Sequence, residues 1–253
     1  MNKTRNPHLS EQKKPDQLYS QPREAITSFA FDQSVVDVFE DMIGRSVPGY
    51  STLLSMFPVI SRYFVKENTR CYDLGCSLGA STLAMVQGID QTGVSIMAVD
   101  NSSAMVEKCR HAIEQHVSNV DVEVREYDIC ELPIENASMV VMNFTLQFIE
   151  ESLRPALIEK IFDGMNEAGV FVLSEKIAIA DNIEQDRQIS LHHAFKKANG
   201  YSDLEVSQKR SSLENVLVPE TVELHISRLK TAGFSEVFVW FQCFNFVSIL
   251  AIK

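Results

Sequence analysis

Two glycines four residues apart, Gly75 and Gly79, end the apolar run Arg70-Cys71-Tyr72-Asp73-Leu74 and open a helical stretch. Glycine lets a backbone turn sharply and approach a ligand, and the unpaired N–H groups of a helix starting there face whatever the turn holds. That is how a nucleotide site begins. The spacing is Gly-x-x-x-Gly, with Ser77 where a dinucleotide fingerprint carries its middle glycine, so that strict pattern is not met. The next apolar run, Ser95-Ile96-Met97-Ala98-Val99, closes on Asp100, and a carboxylate at the tip of a second strand is placed to hold a ribose. The plainer reading is a βαβ unit whose Asp100 caps the following helix.

Other residues carry chemistry more loosely. Tyr50 follows a Pro48-Gly49 break, where a phenol can cover a ligand, hydrogen-bond its carboxylate or simply pack. Arg210, in Ser207-Gln208-Lys209-Arg210-Ser211, has the two parallel N–H groups that match a carboxylate, although a solvated surface arginine is the bland alternative. His192 and His193 are adjacent, so one helix cannot aim both at a metal, and one buried and one exposed ring is expected. The five cysteines (71, 76, 109, 130 and 243) show no metal spacing, so reduced, mostly buried thiols and no metal are expected.

Composition narrows the partners. A net charge of −11 lacks the Lys and Arg surplus that grips a nucleic acid, and the basic pairs Lys196-Lys197 and Lys209-Arg210 make no phosphate-tracking surface unless folding gathers them. A small-molecule substrate is favoured. No apolar run is long enough to span a bilayer, and Met1-Asn2-Lys3-Thr4-Arg5-Asn6 lacks a signal peptide's apolar core, so a soluble, cytoplasmic protein without a membrane partner is expected.

The positioning elements follow from periodicity. With 253 residues and 45% hydrophobic content, one α/β core is expected over 25–253, after a polar tail over 1–24 that reads as disordered. Asp32 is a candidate N-cap for a helix with Val35, Val36, Phe39 and Met42 on one face, and Ser51 to Val65 reads as a second amphipathic helix. Together, about 32–65, they are expected to lie over the ligand mouth as a lid. Strands are expected at 70–74, 95–99, 121–126, 138–143 and 169–174, with helices at 79–88, 102–116 and 152–165 between them. A polar helical insertion over about 182–216 should sit above the carboxyl ends of the strands. A helix at 219–232 and an antiparallel pair, 235–241 with 244–252, end the chain.

The order strand, glycine turn, helix, strand, acid resembles the class I S-adenosylmethionine-dependent methyltransferase fold. This implies a Rossmann-like α/β architecture: a seven-stranded, mostly parallel sheet with helices on both faces and a terminal antiparallel hairpin. In that frame Asp128 lies where the adenine amino group is held and Ile129 offers its backbone N–H, a turn-former at a strand end being the alternative. Asn143 ends the fourth strand, facing the reacting sulfonium methyl, with a cap or turn amide as the alternative. Phe144-Thr145 follow it instead of two prolines and an aromatic, which speaks against methylation of base amino groups, and Phe148 reads as a core contact.

The resemblance is narrower still. Met42-Ile43-Gly44-Arg45-Ser46-Val47-Pro48-Gly49-Tyr50, Tyr72 to Ser77, Asn136 to Phe148, Leu173-Ser174-Glu175-Lys176, Phe195 to Ser202, Gln208-Lys209-Arg210 and Trp240 to Phe246 are similar to bacterial carboxy-S-adenosyl-L-methionine synthases, over roughly 28–253. The resemblance implies S-adenosyl-L-methionine as substrate, carboxy-S-adenosyl-L-methionine as product, prephenate as co-substrate and phenylpyruvate as by-product. The product would serve a tRNA carboxymethyltransferase that modifies wobble uridine. It implies ligand contacts from Tyr50, Gly75, Cys76, Ser77, Asp100, Asn101, Asp128, Ile129 and Asn143, with Arg210 on the new carboxylate, and a homodimer. The same fold leaves open methyl transfer to a small acceptor, or a non-catalytic carrier of the ligand.

Overall fold

In the computed structural model, residues 14–23, 25–214 and 216–253 are described. Runs such as Ala137–Asn143, apolar at almost every position, form strands because only the middle of a sheet covered on both faces buries both sides of a strand. The strands are β1 (Arg70–Leu74), β2 (Ser95–Asp100), β3 (Asp121–Glu126), β4 (Ala137–Asn143), β5 (Met165–Lys176), β6 (Glu236–Cys243) and β7 (Phe246–Ile252). They make one sheet in the order β3-β2-β1-β4-β5-β7-β6, with β1 to β5 parallel and β7 antiparallel to both β5 and β6. The strand order reverses at β1, the place where an open α/β sheet binds its ligand.

The helices are α1 (Gln33–Val36), α2 (Phe39–Ser46), α3 (Tyr50–Phe64), α4 (Ala80–Val86), α5 (Ser103–Glu114), α6 (Arg154–Gly164), α7 (Asn182–Ala198), α8 (Asp203–Leu213) and α9 (Val222–Ala232). Side chains supply the starts: Ser102 caps α5, Asp181 caps α7, and Ser202 with Glu205 forms a reciprocal capping box on α8. One sheet face packs Leu157, Ile158 and Ile161 of α6 and Leu229 of α9 on β1, β4 and β5, and the other packs Leu53 and Phe57 of α3 and Met85 of α4. Removing one such ring, as in Phe57→Ala, costs about 3–5 kcal/mol. Among the described residues no helix is long and apolar enough to cross a membrane.

Three features differ from expectation. The helix expected from Asp32 is two pieces: Asp32 caps α1, and α2 begins after a break at Asp37 and Val38. The stretch expected to pair with it as a lid, now α3, instead covers the sheet, because Leu53, Phe57 and Ile60 find their apolar partners on α4, β4 and β5. Of the tail expected to be disordered, residues 1–13 and 24 lie outside the described residues, whereas 14–23 fold back on the body. Asp16 and Tyr19 are buried, the Tyr201 hydroxyl donates to Asp16 Oδ2 at 2.5 Å, and Gln208 Nε2 donates to the carbonyls of Tyr19 and Gln21, both at 2.9 Å.

Candidate functional site

The glycine turn comes first, and its geometry is dictated by its neighbours. Gly75 has φ +84, and a Cβ there would lie 2.3 Å from Thr145 Oγ1, so the residue must be glycine where the segment after β4 crosses it. The amides of Gly75 and Cys76 both donate to the Val99 carbonyl, at 2.8 and 2.9 Å, and Ser77 N donates to Asp100 Oδ2 at 2.9 Å. The turn is therefore folded by its own N–H groups, which do not line an anion cradle. Asp73 takes the start of α4 instead: its carboxylate accepts the Thr82 hydroxyl at 2.6 Å and is buried, which pushes its pKa up to about 7.

Asp100 accepts from Ser77 on one oxygen and from Ser102 N on the other, at 2.9 Å each, and every oxygen keeps a further lone pair for a ribose hydroxyl. Burial raises its pKa against those backbone donors. Asp128 turns at the end of β3, with Oδ1 accepting from Cys130 N at 2.8 Å, and the adjacent Ile129 N–H makes no hydrogen bond among the described residues. Asn143 closes β4: its Nδ2 donates to Ser81 Oγ at 3.1 Å, while Oδ1 is buried with no hydrogen-bond partner among the described residues. A buried acceptor left unpaired on a residue that lines a cavity marks a ligand-holding position.

One cavity of about 620 Å³ joins these groups; Gly75, Ser77, Asp100, Asn101, Asp128, Ile129, Asn143 and Arg210 all line it. It lies in the size range of small-molecule sites. Cys76 does not line it; its side chain turns to Ala98 and Cys109 on the far side of the turn. Tyr50 does not line it either. Its ring packs 6.3 Å from Phe144, and its hydroxyl is pushed up in pKa by burial, with Asp73 and Glu40 adding to the shift. Arg210 is exposed overall, as its sequence neighbourhood suggested, yet it borders the cavity. His192 and His193 both line it: His192 is buried with Nε2 2.8 Å from the Ser46 carbonyl, and burial, then Lys196, takes its pKa down to about 3, so it is a neutral donor.

The segment after Asn143 shows how the wall is braced. Phe144 sits at φ +63, an uncommon conformation for a bulky side chain, with its ring 6.0 Å from Phe246. The buried Glu175 carboxylate accepts from Leu146 N at 2.8 Å and Gln147 N at 3.1 Å, fixing the turn at 146–148. Burial still pushes Glu175 up to about 8, those amides and Arg154 opposing it. Phe148, expected in the core, lines the cavity and meets Phe31 edge-on at 5.3 Å.

Sequence reasoning missed the aromatic cover. Phe31 lies 5.1 Å from Phe29 and 6.3 Å from Phe39, and the strap that carries it is tied at both ends, by Ser102 Oγ to the Phe31 carbonyl at 2.7 Å and by Phe29 N to the Ser212 carbonyl at 2.8 Å. Two phenylalanines just before a helix, Phe29 and Phe31, with Phe39 following, were the available signal. Also missed was the cationic wall of Lys176, Lys196 and Lys209, which joins Arg210 in the same cavity.

A family model described as a methyltransferase domain matches residues 72–169. A carboxy-S-adenosyl-L-methionine synthase of Hahella chejuensis is 54% identical over 243 residues, covering 94% of this chain and 98% of its own. The protein of the same name from Vibrio cholerae is 52% identical over 238 residues, 94% of this chain and 97% of its own. Among solved structures, an O-methyltransferase family protein from Burkholderia thailandensis superposes with a TM-score of 0.59 at 13% identity, over 88% of this chain and 60% of its own. The mitomycin 7-O-methyltransferase MmcR does so at 0.57 and 8% identity, over 87% of this chain and 57% of its own. Identities this low speak for the fold alone.

Proposed function

This chain belongs to the family of carboxy-S-adenosyl-L-methionine synthases, within the class I methyltransferase superfamily, and from that premise we propose that it converts S-adenosyl-L-methionine and prephenate to carboxy-S-adenosyl-L-methionine and phenylpyruvate. The observation that carries the reading is Arg210 bordering the same cavity as Ser77, Asp100 and Asn143, its guanidinium making no hydrogen bond or ion pair with a described residue. A bare methyl group offers a guanidinium nothing to bind, whereas a carboxylate placed on that carbon offers both its oxygens.

Each part of the cavity has a task on this reading. Asp100 and Asn101 take the ribose, Asp128 and the Ile129 N–H take the adenine, and Gly75 and Ser77 shape the floor beneath the amino-acid end. Tyr50 and Cys76, also expected as contacts, act from behind that wall. Asn143 Oδ1 is the fixed acceptor near the reacting methyl. S-adenosyl-L-methionine supplies a methyl group made acidic by its sulfonium. The balance closes without an added oxidant: the ring carboxylate of prephenate leaves as carbon dioxide as the ring aromatises, that carbon joins the methyl carbon, and the methyl proton departs with the ring hydroxyl as water. A carbon poised to capture carbon dioxide must not meet bulk water, and Phe29, Phe31, Phe39 and Phe148 cover the cavity on this account. Arg210 then holds the new carboxylate. The reading carries with it a cytoplasmic homodimer whose product is consumed by a tRNA carboxymethyltransferase, and a net charge of −11 argues against the chain gripping the tRNA itself.

Denaturing the purified protein and weighing the nucleoside it carries tests this. A species heavier than S-adenosyl-L-methionine by one carboxylate supports the reading. S-adenosylhomocysteine formed together with a methylated acceptor, and no reaction toward prephenate, would replace it with methyl transfer.

A further inference from the structure

Four cations on three elements border the cavity: Lys176 at the end of β5, Lys196 on α7, and Lys209 and Arg210 on α8. Lys209 is committed, with Nζ 3.0 Å from Ser46 Oγ and 3.7 Å from Asp16 Oδ2. The Nζ atoms of Lys176 and Lys196 make no hydrogen bond or ion pair with a described residue, although Lys196 is 6% exposed. Asp16 is the one acid that steadies Lys196, and it is already engaged by the Tyr201 hydroxyl, the Leu18 amide and Lys209. Two lysine side chains, Lys196 buried and Lys176 half-buried, thus share the cavity wall with no hydrogen-bonded acid among the described residues, which costs stability unless an anion binds beside them.

The reaction proposed above says which anion. Prephenate carries two carboxylates; one is lost from the ring and must pass close to Arg210, where the product carboxylate ends. The other, beside the keto group, stays on phenylpyruvate and needs a partner of its own. We propose that Lys176 and Lys196 form a second anion subsite, separate from Arg210, that grips the carboxylate the co-substrate retains. The inference rests on the prephenate reading for the identity of the ligand, but on the lysines' placement for the subsite itself.

The electrostatics agree with the geometry. Burial, then Arg210, lowers Lys176, and burial lowers Lys196 to about 7, with Lys209 and Lys176 adding to the shift and Asp16 opposing it. On its own helix Lys196 is flanked by His192, a neutral donor, and by His193, which burial, then Lys196, Arg210 and Lys176, also depresses. An arriving carboxylate restores the ammonium form, so binding takes up a proton above neutrality and weakens as pH rises.

The test uses phenylpyruvate, which keeps one carboxylate and lacks the other, titrated calorimetrically into protein saturated with S-adenosylhomocysteine. Lys176→Gln and Lys196→Gln should each weaken it by about tenfold or more, the scale of a charged hydrogen bond, while Arg210→Ala shifts it less than about threefold. Both glutamines remove an uncompensated charge, so folding is retained, and S-adenosylhomocysteine affinity is the check. With the unmodified protein, titration at pH 8 in two buffers of different ionisation heat should show net proton uptake. No binding to the unmodified protein, affinity unchanged in both lysine variants, or a loss confined to Arg210→Ala would overturn the subsite. Failure of the prephenate reading shows elsewhere, as absence of a carboxylated nucleoside when unmodified protein is given both substrates.

Discussion

Asn143 Nδ2 donates to Ser81 Oγ at 3.1 Å, and this single bond sets the amide so that Oδ1 is left as a buried acceptor without a partner among the described residues. If that oxygen is held for the ligand, Asn143→Ala should weaken S-adenosyl-L-methionine binding by about tenfold, the worth of one hydrogen bond in a desolvated site. Ser81→Ala, which only frees the amide to turn, should cost about threefold. Calorimetric titration measures both, and an unchanged affinity in Asn143→Ala would remove the residue from the site.

Arg210→Ala should leave S-adenosyl-L-methionine affinity within about threefold and reduce that for the carboxylated nucleoside by about 10- to 150-fold, as expected for a charge-assisted bidentate pair. Arg210→Lys should recover part of the loss, because a point charge keeps attraction but not the two-pronged fit. Competition between the two nucleosides reads this directly; equal preference before and after substitution would clear Arg210 of the role.

Gly75→Ala should unfold at lower temperature. At φ +84 any other residue is strained by about 1–3 kcal/mol, and the new Cβ also collides with Thr145, 2.3 Å from Oγ1. At about 2–4 °C per kcal/mol for a chain of this size, melting should drop by several degrees. Thr145→Gly in the same background should restore the contact part of the loss and not the backbone part.

Glu175 links stability to pH. Its pKa is pushed from 4.5 up to about 8 by burial, so the folded protein binds a proton that the unfolded chain releases over that interval. Its contribution is fully present below the unfolded value and is lost as pH rises through about 8, with a slope of up to about 1.4 kcal/mol per pH unit. Because buried bases act with the opposite sign, His192 lowered to about 3 and Lys196 to about 7, the decline is read as the difference between the unmodified protein and Glu175→Gln in urea unfolding from pH 5 to 8. Asp73, raised to about 7, contributes equally to both proteins and cancels in that difference. An unaltered slope would mean that Glu175 stays ionised.

Much of the frame was legible from local pattern. The strand at 121–126 lies where expected, and the terminal pair is antiparallel, because alternating or continuous apolar runs bounded by turns leave little choice of element. Asp100 and Asn143 could be singled out because a strand tip in this topology has one neighbourhood. What escaped is long-range. The contact of Asp16 with Tyr201 spans 185 residues, and no local pattern marks it. A polar opening segment looked disordered, yet Asp16 and Tyr19 are buried against α8. α3 was amphipathic enough for a lid, but α4 and the sheet offered it more apolar surface. A net charge of −11 concealed the cationic wall, since Lys176, Lys196 and Arg210 meet only once α7 and α8 fold back over the end of β5.

The most direct measurement is to incubate the protein with S-adenosyl-L-methionine and prephenate carrying carbon-13 in its ring carboxylate, then follow the label by mass spectrometry. The account predicts that the label appears in a carboxylated nucleoside in step with phenylpyruvate. Label released only as free carbon dioxide, or an unlabelled nucleoside with unreacted prephenate, would contradict it.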